Sequence, residues 1–421
     1  MLHVLRFRRF SDRLPRYPWQ NLVDGFLDSF LVMKSHEPIH STSAFRAATF
    51  LRGIAEGLIA VALPFQAIKL GAGPAQLGTL GSLTTASYTA CCLTFARLIG
   101  RIPMRGTVLL ALLFLSALAV GIAYAHSLVL LYVLAVFSGI ATSLFWPQIM
   151  TWLANHVENR GMTRQFGAFN LSWCAGFPVG LAAGGYLFEA DMRLPYFIAA
   201  AVTIAAATTL WLFTGSRRTA IGQKLDPEEM SSAVSDARAR TFLLIAWLSM
   251  FSTYFVSGNF RYQLPKLTKS VGMGEGTFGV LIFLVYGAQL LTFLLLMRTE
   301  RWHFKAGLLW SAQLFVALAA LLVYLSVKPL ALGTAFVLAG VGLGVTYFSS
   351  QYYGIRSPLG RGRRAAIHEA LIGSGYLAGA YCGGQLAQTY SLRTPYIGSV
   401  AVLVALLAVQ IVLDRCRRTR E

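Results

Sequence analysis

The sequence predicts an all-α integral membrane protein with twelve transmembrane helices in two pseudo-symmetric six-helix bundles. Three observations predict it. Of 421 residues, 56% are hydrophobic and 13% are charged, with a mean hydropathy of +0.59, whereas soluble chains carry about 25% charged residues. Twelve apolar runs approach the roughly 20 residues a spanning helix needs. The two halves of the chain also repeat one another. This composition excludes an ordinary cytosolic enzyme, a disordered chain and a nucleic-acid-binding domain, despite a net charge of +19.

Residues 1–45 come before the first run. Arg6, Arg8, Arg9, Arg13 and Arg16 form a basic arm. Trp19, Leu22, Val23, Phe26, Leu27, Phe30 and Leu31 then recur at three-four spacing, the pattern of an amphipathic helix. No cleavage site follows, so the segment is expected to lie on the inner leaflet rather than act as a signal peptide.

The spans are placed at 46–69, 76–97, 106–125, 128–152, 165–188 and 194–214, then 241–262, 276–297, 306–326, 329–353, 365–388 and 395–413. Turn signals separate them, among them Gly71-Ala72-Gly73-Pro74 and Lys328-Pro329. None shows the period-two alternation of a barrel strand. The first bundle is set at 46–215 and the second at 241–414, with a loop at 216–240 and a basic tail at 415–421. In the loop, Asp226-Pro227-Glu228-Glu229 reads as the capped start of a short surface helix.

Lys and Arg are distributed unevenly over the loops. One side, with both termini, holds 27 of them and the other holds 6. The positive-inside rule then puts both termini in the cytoplasm of a plasma (inner) membrane. The basic surplus reads as a topology signal facing anionic lipid.

The internal repeat is explicit. At an offset of 201, Leu63, Pro64, Gly71, Gly73, Gly78 and Leu80 meet Leu264, Pro265, Gly272, Gly274, Gly279 and Leu281. At 199, Arg164, Gly176, Gly180, Gly184 and Gly185 meet Arg363, Gly375, Gly379, Gly383 and Gly384. Two copies of one six-helix unit therefore stand in parallel.

Charges inside the spans are the sharper functional signal, because lipid penalises an unpaired one. If span 1 starts near Ala47, Glu56 sits about 14 Å deep, near midplane, with Arg52 one turn earlier on the same face. A carboxylate balanced between desolvation and a neighbouring guanidinium is a candidate proton carrier. Arg52 and Glu56 are the expected proton-coupling pair, the alternative being a static ion pair. Glu369 follows His368 near the start of span 11 and is expected to pair with an arginine of the Arg361, Arg363, Arg364 cluster as a gate, or to be solvated at the interface. Arg261 is placed at the outer end of span 7, snorkelling to the interface, the alternative being that it attracts an anion. Five cysteines show neither a CxxC pair nor zinc spacing. No metal, cofactor, disulfide or ATP-binding motif is expected, and no clustered catalytic set marks an enzyme.

Twelve spans, parallel halves and a charged central loop resemble the major facilitator superfamily of secondary transporters. The loop after span 2 carries Gly100 and Arg101 of that family's signature, with Arg97 where the family has an acid. Phe177-Pro178-Val179-Gly180, with Gly184-Gly185 beyond, is similar to its span 5 signature. The resemblance implies that spans 1, 4, 7 and 10 line a central cavity. Candidates there are Gln66, Thr142, Trp146, Gln148, Tyr254, Asn259, Arg261, Tyr347 and Gln351, with Asn170, Trp173, Tyr286 and Gln289 from spans 5 and 8. It also implies that spans 5 and 11 meet between the lobes. Gly176, Gly180 and Gly184, with Gly375, Gly379 and Gly383, would then form a smooth sliding contact there, the alternative being plain tight packing, and Arg97, Gly100, Arg101 and Glu369 would belong to gating.

The function expected is secondary active transport of a small organic solute by alternating access. It is expected to be proton-coupled and to favour export of an amphipathic compound, in a chain acting as a monomer. The alternatives are proton-coupled uptake of a sugar or small metabolite, and a non-transporting receptor or scaffold on the same fold.

Overall fold

The computed structural model describes residues 39–95, 104–149, 162–213, 237–355 and 361–419. The first half contributes α1 (Ile39–Lys69), α2 (Pro74–Phe95), α3 (Met104–Ala123), α4 (Leu128–Ser143), α5 (Met162–Ala190) and α6 (Leu194–Phe213). The second contributes α7 (Ala237–Tyr262), the short α8 (Leu264–Ser270), α9 (Glu275–Leu296), α10 (Ala306–Leu325), α11 (Pro329–Ile355), α12 (Arg361–Thr389) and α13 (Thr394–Arg418). The basic arm, most of the central loop, and Arg97, Gly100 and Arg101 lie outside the described residues.

Ten of these helices are long and apolar enough to cross a membrane. The other two long ones, α2 and α12, are less apolar. They face each other rather than the perimeter. Large apolar side chains stay exposed around the outside, among them Leu110, Val129, Trp211, Leu295 and Val412. In water that surface would be a liability; against acyl chains it is matched.

The repeat in the sequence is visible in the turns. Gly71 and Gly272 both adopt positive φ, 88° and 79°. A Cβ at either would meet nothing within 4 Å, so conformation rather than space demands glycine. In each turn the amide of the residue after the glycine closes back onto the helix, Ala72 N to Ala67 O and Met273 N to Thr268 O. The prolines act differently. Pro64 is accommodated within α1, whereas at Pro265 the chain breaks into α7 and α8.

Within the first half α1 packs along α5, and within the second α7 packs along α12. The halves are joined by α2 on α12 and by α5 on α9. This corrects the expected role of the glycine stripes. A Cβ at Gly180 would overlap Ile54 O of α1, and one at Gly379 would overlap Phe255 O of α7. Gly176 and Gly184 likewise face α1, and Gly375 and Gly383 face α7. The stripes therefore bind each bundle internally. The close approach between bundles uses other glycines. A Cβ at Gly78 would lie 3.1 Å from Gly384 Cα, and one at Gly279 would lie 3.4 Å from Gly185 Cα. These two pairs are related by the sequence repeat. A helix has several faces, and spacing alone does not say which neighbour each face meets.

The end of the bundle opposite the C terminus is drawn together by polar contacts between the halves. Lys266 Nζ donates to Ala72 O at 2.7 Å, Gly276 N donates to Glu189 Oε1 at 2.9 Å, and Gln263 Nε2 donates to Pro74 O at 3.3 Å. Phe65 meets Phe278 edge to face at 5.4 Å beneath them.

Candidate functional site

Between the halves lies a cavity of about 190 Å³. Its four charged residues come from three helices. On α1, the i,i+4 spacing sets Arg52 and Glu56 on one face, with Arg52 Nη2 at 3.6 Å from Glu56 Oε2. The arginine side chain is 5% exposed and the glutamate 25%, so both line the cavity and the carboxylate is the more open of the two. Arg52 Nε has no hydrogen-bond partner among the described residues.

Arg261 of α7 faces the same space. It lies over the rings of Tyr262 and Tyr376, at 5.7 and 5.8 Å, and within electrostatic reach of both Glu56 and Arg52. The expected snorkelling to the outer interface is thereby corrected. The apolar run stops at Tyr262, but the chain continues as α8 to Ser270, leaving Arg261 about 13 Å from that end at 1.5 Å per residue. The repeat held the clue: at an offset of 201, Arg261 corresponds to Ala60, in the middle of α1.

The fourth charge is Glu369 of α12. Tyr88 of α2 donates its hydroxyl to Glu369 Oε2 at 2.5 Å, and both residues are buried. The acid was expected beside the loop arginines because the apolar run begins at residue 365. The helix begins at Arg361, which carries Glu369 deeper, into the cavity wall. His368 instead turns away to Ser350 Oγ at 2.9 Å.

Aromatic side chains complete the lining. Trp146 and Trp173 meet edge to face at 6.3 Å, and Trp173 lies 5.7 Å from Tyr347. Phe177 packs on Tyr286 at 4.4 Å, and Tyr286 and Tyr376 share a hydroxyl contact of 3.3 Å. Thr142, Tyr254 and Ser138 also face in. The arrangement offers two cations, two carboxylates and broad ring faces, with hydroxyls between them. That chemistry suits an organic body with a polar head.

Six expected lining residues serve packing instead. Gln66 Nε2 donates to Ile122 O and Ala125 O, closing the end of α3. Asn259 donates to Ser399 Oγ at 2.9 Å. Asn170 Nδ2 donates to Gln351 Oε1 at 2.6 Å and so ties α5 to α11 between the halves. Gln148 and Gln289 are buried off the cavity, Gln289 with neither amide atom hydrogen-bonded among the described residues. A buried amide in a helix bundle more readily satisfies a neighbouring backbone or side chain than faces a solute. Tyr88, Thr84, Thr85 and Tyr376, by contrast, line the cavity from α2 and α12. The available signal was their polarity at three-four spacing on the two least apolar long helices.

A family model described as Major Facilitator Superfamily matches residues 47–358. The quinolone resistance protein NorA of Staphylococcus aureus (strain MRSA252) is 24% identical over 247 residues, 56% of this chain and 63% of that protein. The chain thus spans less than two thirds of the length of this relative. A crystal structure of a nucleoside transporter NupG mutant superposes with a TM-score of 0.68 at 11% identity, covering 88% of this chain and 99% of that one. An inward-facing bacterial homologue of the human lysosomal transporter Spinster gives 0.68 at 16% identity, covering 90% and 98%.

Proposed function

The chain belongs to the Major Facilitator Superfamily, and from that premise we propose that it couples a proton gradient to the movement of a small amphipathic organic compound through the cavity between its halves. As a member of that family it is a multi-pass membrane transporter rather than an enzyme. The single observation that carries the finer reading is the Arg52–Glu56 pair facing Arg261 across the cavity. Charges are retained in a lipid-embedded bundle at a cost, and they mark solute or ion pathways. Glu56 presents its partly exposed carboxylate to that space, and Glu369 supplies a second acid on the contact between α2 and α12.

In this reading the protein is a monomer in the plasma membrane with both termini cytoplasmic, its basic side against anionic lipid. The two halves rock about the contacts of α2 with α12 and α5 with α9. Export is the favoured direction, supported by the likeness to a protein named for quinolone resistance and by the ring-lined cavity.

Reconstituted vesicles test the reading. Flux of a solute panel is measured with and without an imposed pH gradient, for wild type and Glu56→Gln. Gradient-driven flux of at least one amphipathic solute is expected in wild type and lost in the variant, with the variant still inserted and folded. Wild-type coupled flux in Glu56→Gln would refute it.

A further inference from the structure

We propose, resting on the reading that this cavity carries solute, that the solute is an amphipathic organic anion. Its anionic head is held between Arg52 and Arg261, and its apolar body lies on the aromatic wall.

The unspent donors of the two arginines carry the inference. Two guanidiniums and two carboxylates face the cavity, and Glu56 is the acid beside Arg52. The other acid, Glu369, is engaged by Tyr88, and Glu56, not Glu369, is the acid within electrostatic reach of both arginines. Arg52 is almost wholly buried, its pairing with Glu56 is a long 3.6 Å, and its Nε is unpartnered among the described residues. Arg261 forms neither a hydrogen bond nor an ion pair among the described residues and lies over two ring faces. A guanidinium is a rigid fork of donors that matches a carboxylate, sulfonate or phosphate group. Here two such forks stand in a protein-lined space with donors unspent. An arriving anion accepts from those donors, whereas a cation offers them no acceptor.

The aromatic wall supplies the rest of the solute's chemistry. Trp146, Trp173, Tyr254 and Tyr347 offer ring faces to an apolar or aromatic body. The two arginines also belong to different halves. An anion bridging them is held by both only while the halves are together, so it favours that arrangement over the parted ones.

The test uses the purified full chain in phosphatidylcholine nanodiscs. Three probes are compared: 8-anilinonaphthalene-1-sulfonate, N-phenyl-1-naphthylamine (the same rings without the sulfonate) and ethidium, an aromatic cation. Binding is read from tryptophan quenching and energy transfer. The sulfonate is expected to bind tighter than the amine by about ten- to a hundredfold, the worth of one or two charge-assisted hydrogen bonds. Arg261→Gln should erase that margin and leave the amine unchanged, and Arg261→Lys should keep part of it. Arg261→Gln removes a side chain with no hydrogen-bonded partner among the described residues, so its fold is preserved, and thermal unfolding checks this. Arg52→Gln/Glu56→Gln provides a second, charge-balanced variant that should also weaken the sulfonate. Equal or tighter binding of the amine or ethidium, or undiminished sulfonate binding in Arg261→Gln, overturns the assignment. Flux of the same probes separates the two levels. Movement of the amine or ethidium without the sulfonate ends the anion assignment alone. Sulfonate binding that depends on Arg261, with no probe moving in any gradient, ends the transport reading on which it rests.

Discussion

Tyr88→Phe removes the hydrogen bond that ties α2 to α12. The hydroxyl donates to Glu369 Oε2 at 2.5 Å, and the phenyl ring of the variant fills the same space without it. The Glu369 side chain then keeps no hydrogen bond among the described residues. Leaving a buried polar group unsatisfied costs about 1–3 kcal/mol, and a charge-assisted bond stands at the upper end. Because donor and acceptor belong to different halves, the loss falls on the arrangement with α2 and α12 together and not on either bundle alone. A bias of that size shifts the population between together and parted arrangements by about 5- to 150-fold. Cys92 is the natural reporter. It lies one turn beyond Tyr88 on α2 and is fully buried. In a background where it is the remaining cysteine, its N-ethylmaleimide reaction rate should rise about tenfold or more in Tyr88→Phe. Glu369→Gln, which still accepts from Tyr88, should give a smaller rise. An unchanged Cys92 rate in Tyr88→Phe, with a folded protein, would refute the claim that this bond holds the halves together.

Further outcomes follow from the same geometry. Gly180→Ala drives a methyl into Ile54 O within the first bundle, so it should lower thermal stability by the roughly 1–3 kcal/mol of an overpacked contact, read as a fall in Tm in detergent. Gly384→Ala places its Cβ 2.8 Å from Pro74 O of the other half; parting the halves relieves it, so Tm should hold while flux falls and labelling near Lys266 rises. Arg52→Gln strands Glu56. The cost of about 3–5 kcal/mol for breaking a buried pair is a ceiling here, since the carboxylate is 25% exposed, and Arg52→Gln/Glu56→Gln should recover most of the lost Tm without recovering flux.

The twelve-helix plan was readable because lipid imposes it: long apolar runs, turn glycines and the basic bias all answer to one solvent. The duplication was equally plain, and its matched positions recur as matched structure, Gly71 with Gly272 in the turns and Gly78 with Gly279 between the halves. The cavity was legible in part. Glu56 and Arg52 follow from depth and i,i+4 spacing, and Trp146, Trp173, Tyr254, Tyr286 and Tyr347 from the cavity plan of the resembled family. What escaped were facts about neighbours. The glycines of α5 and α12 have the spacing of a close contact, but spacing does not name the helix that fills it. Arg261 and Glu369 were misplaced because apolar runs end before helices do: α7 is extended through α8, and α12 begins among arginines. Tyr88 went unnoticed because its partner stands 281 positions away in the chain, and no local pattern carries that distance.

The most direct measurement is two-sided labelling at the cavity wall. Ser138 of α4 faces the cavity, and Ser138→Cys is a small change that leaves the charged residues in place. With the native cysteines replaced, a membrane-impermeant methanethiosulfonate is applied separately to each face of oriented vesicles. A cavity opened to each aqueous phase in turn predicts reaction from both faces, with a saturating transported solute slowing it. Reaction from one face alone, or from neither, would contradict alternating access through this cavity.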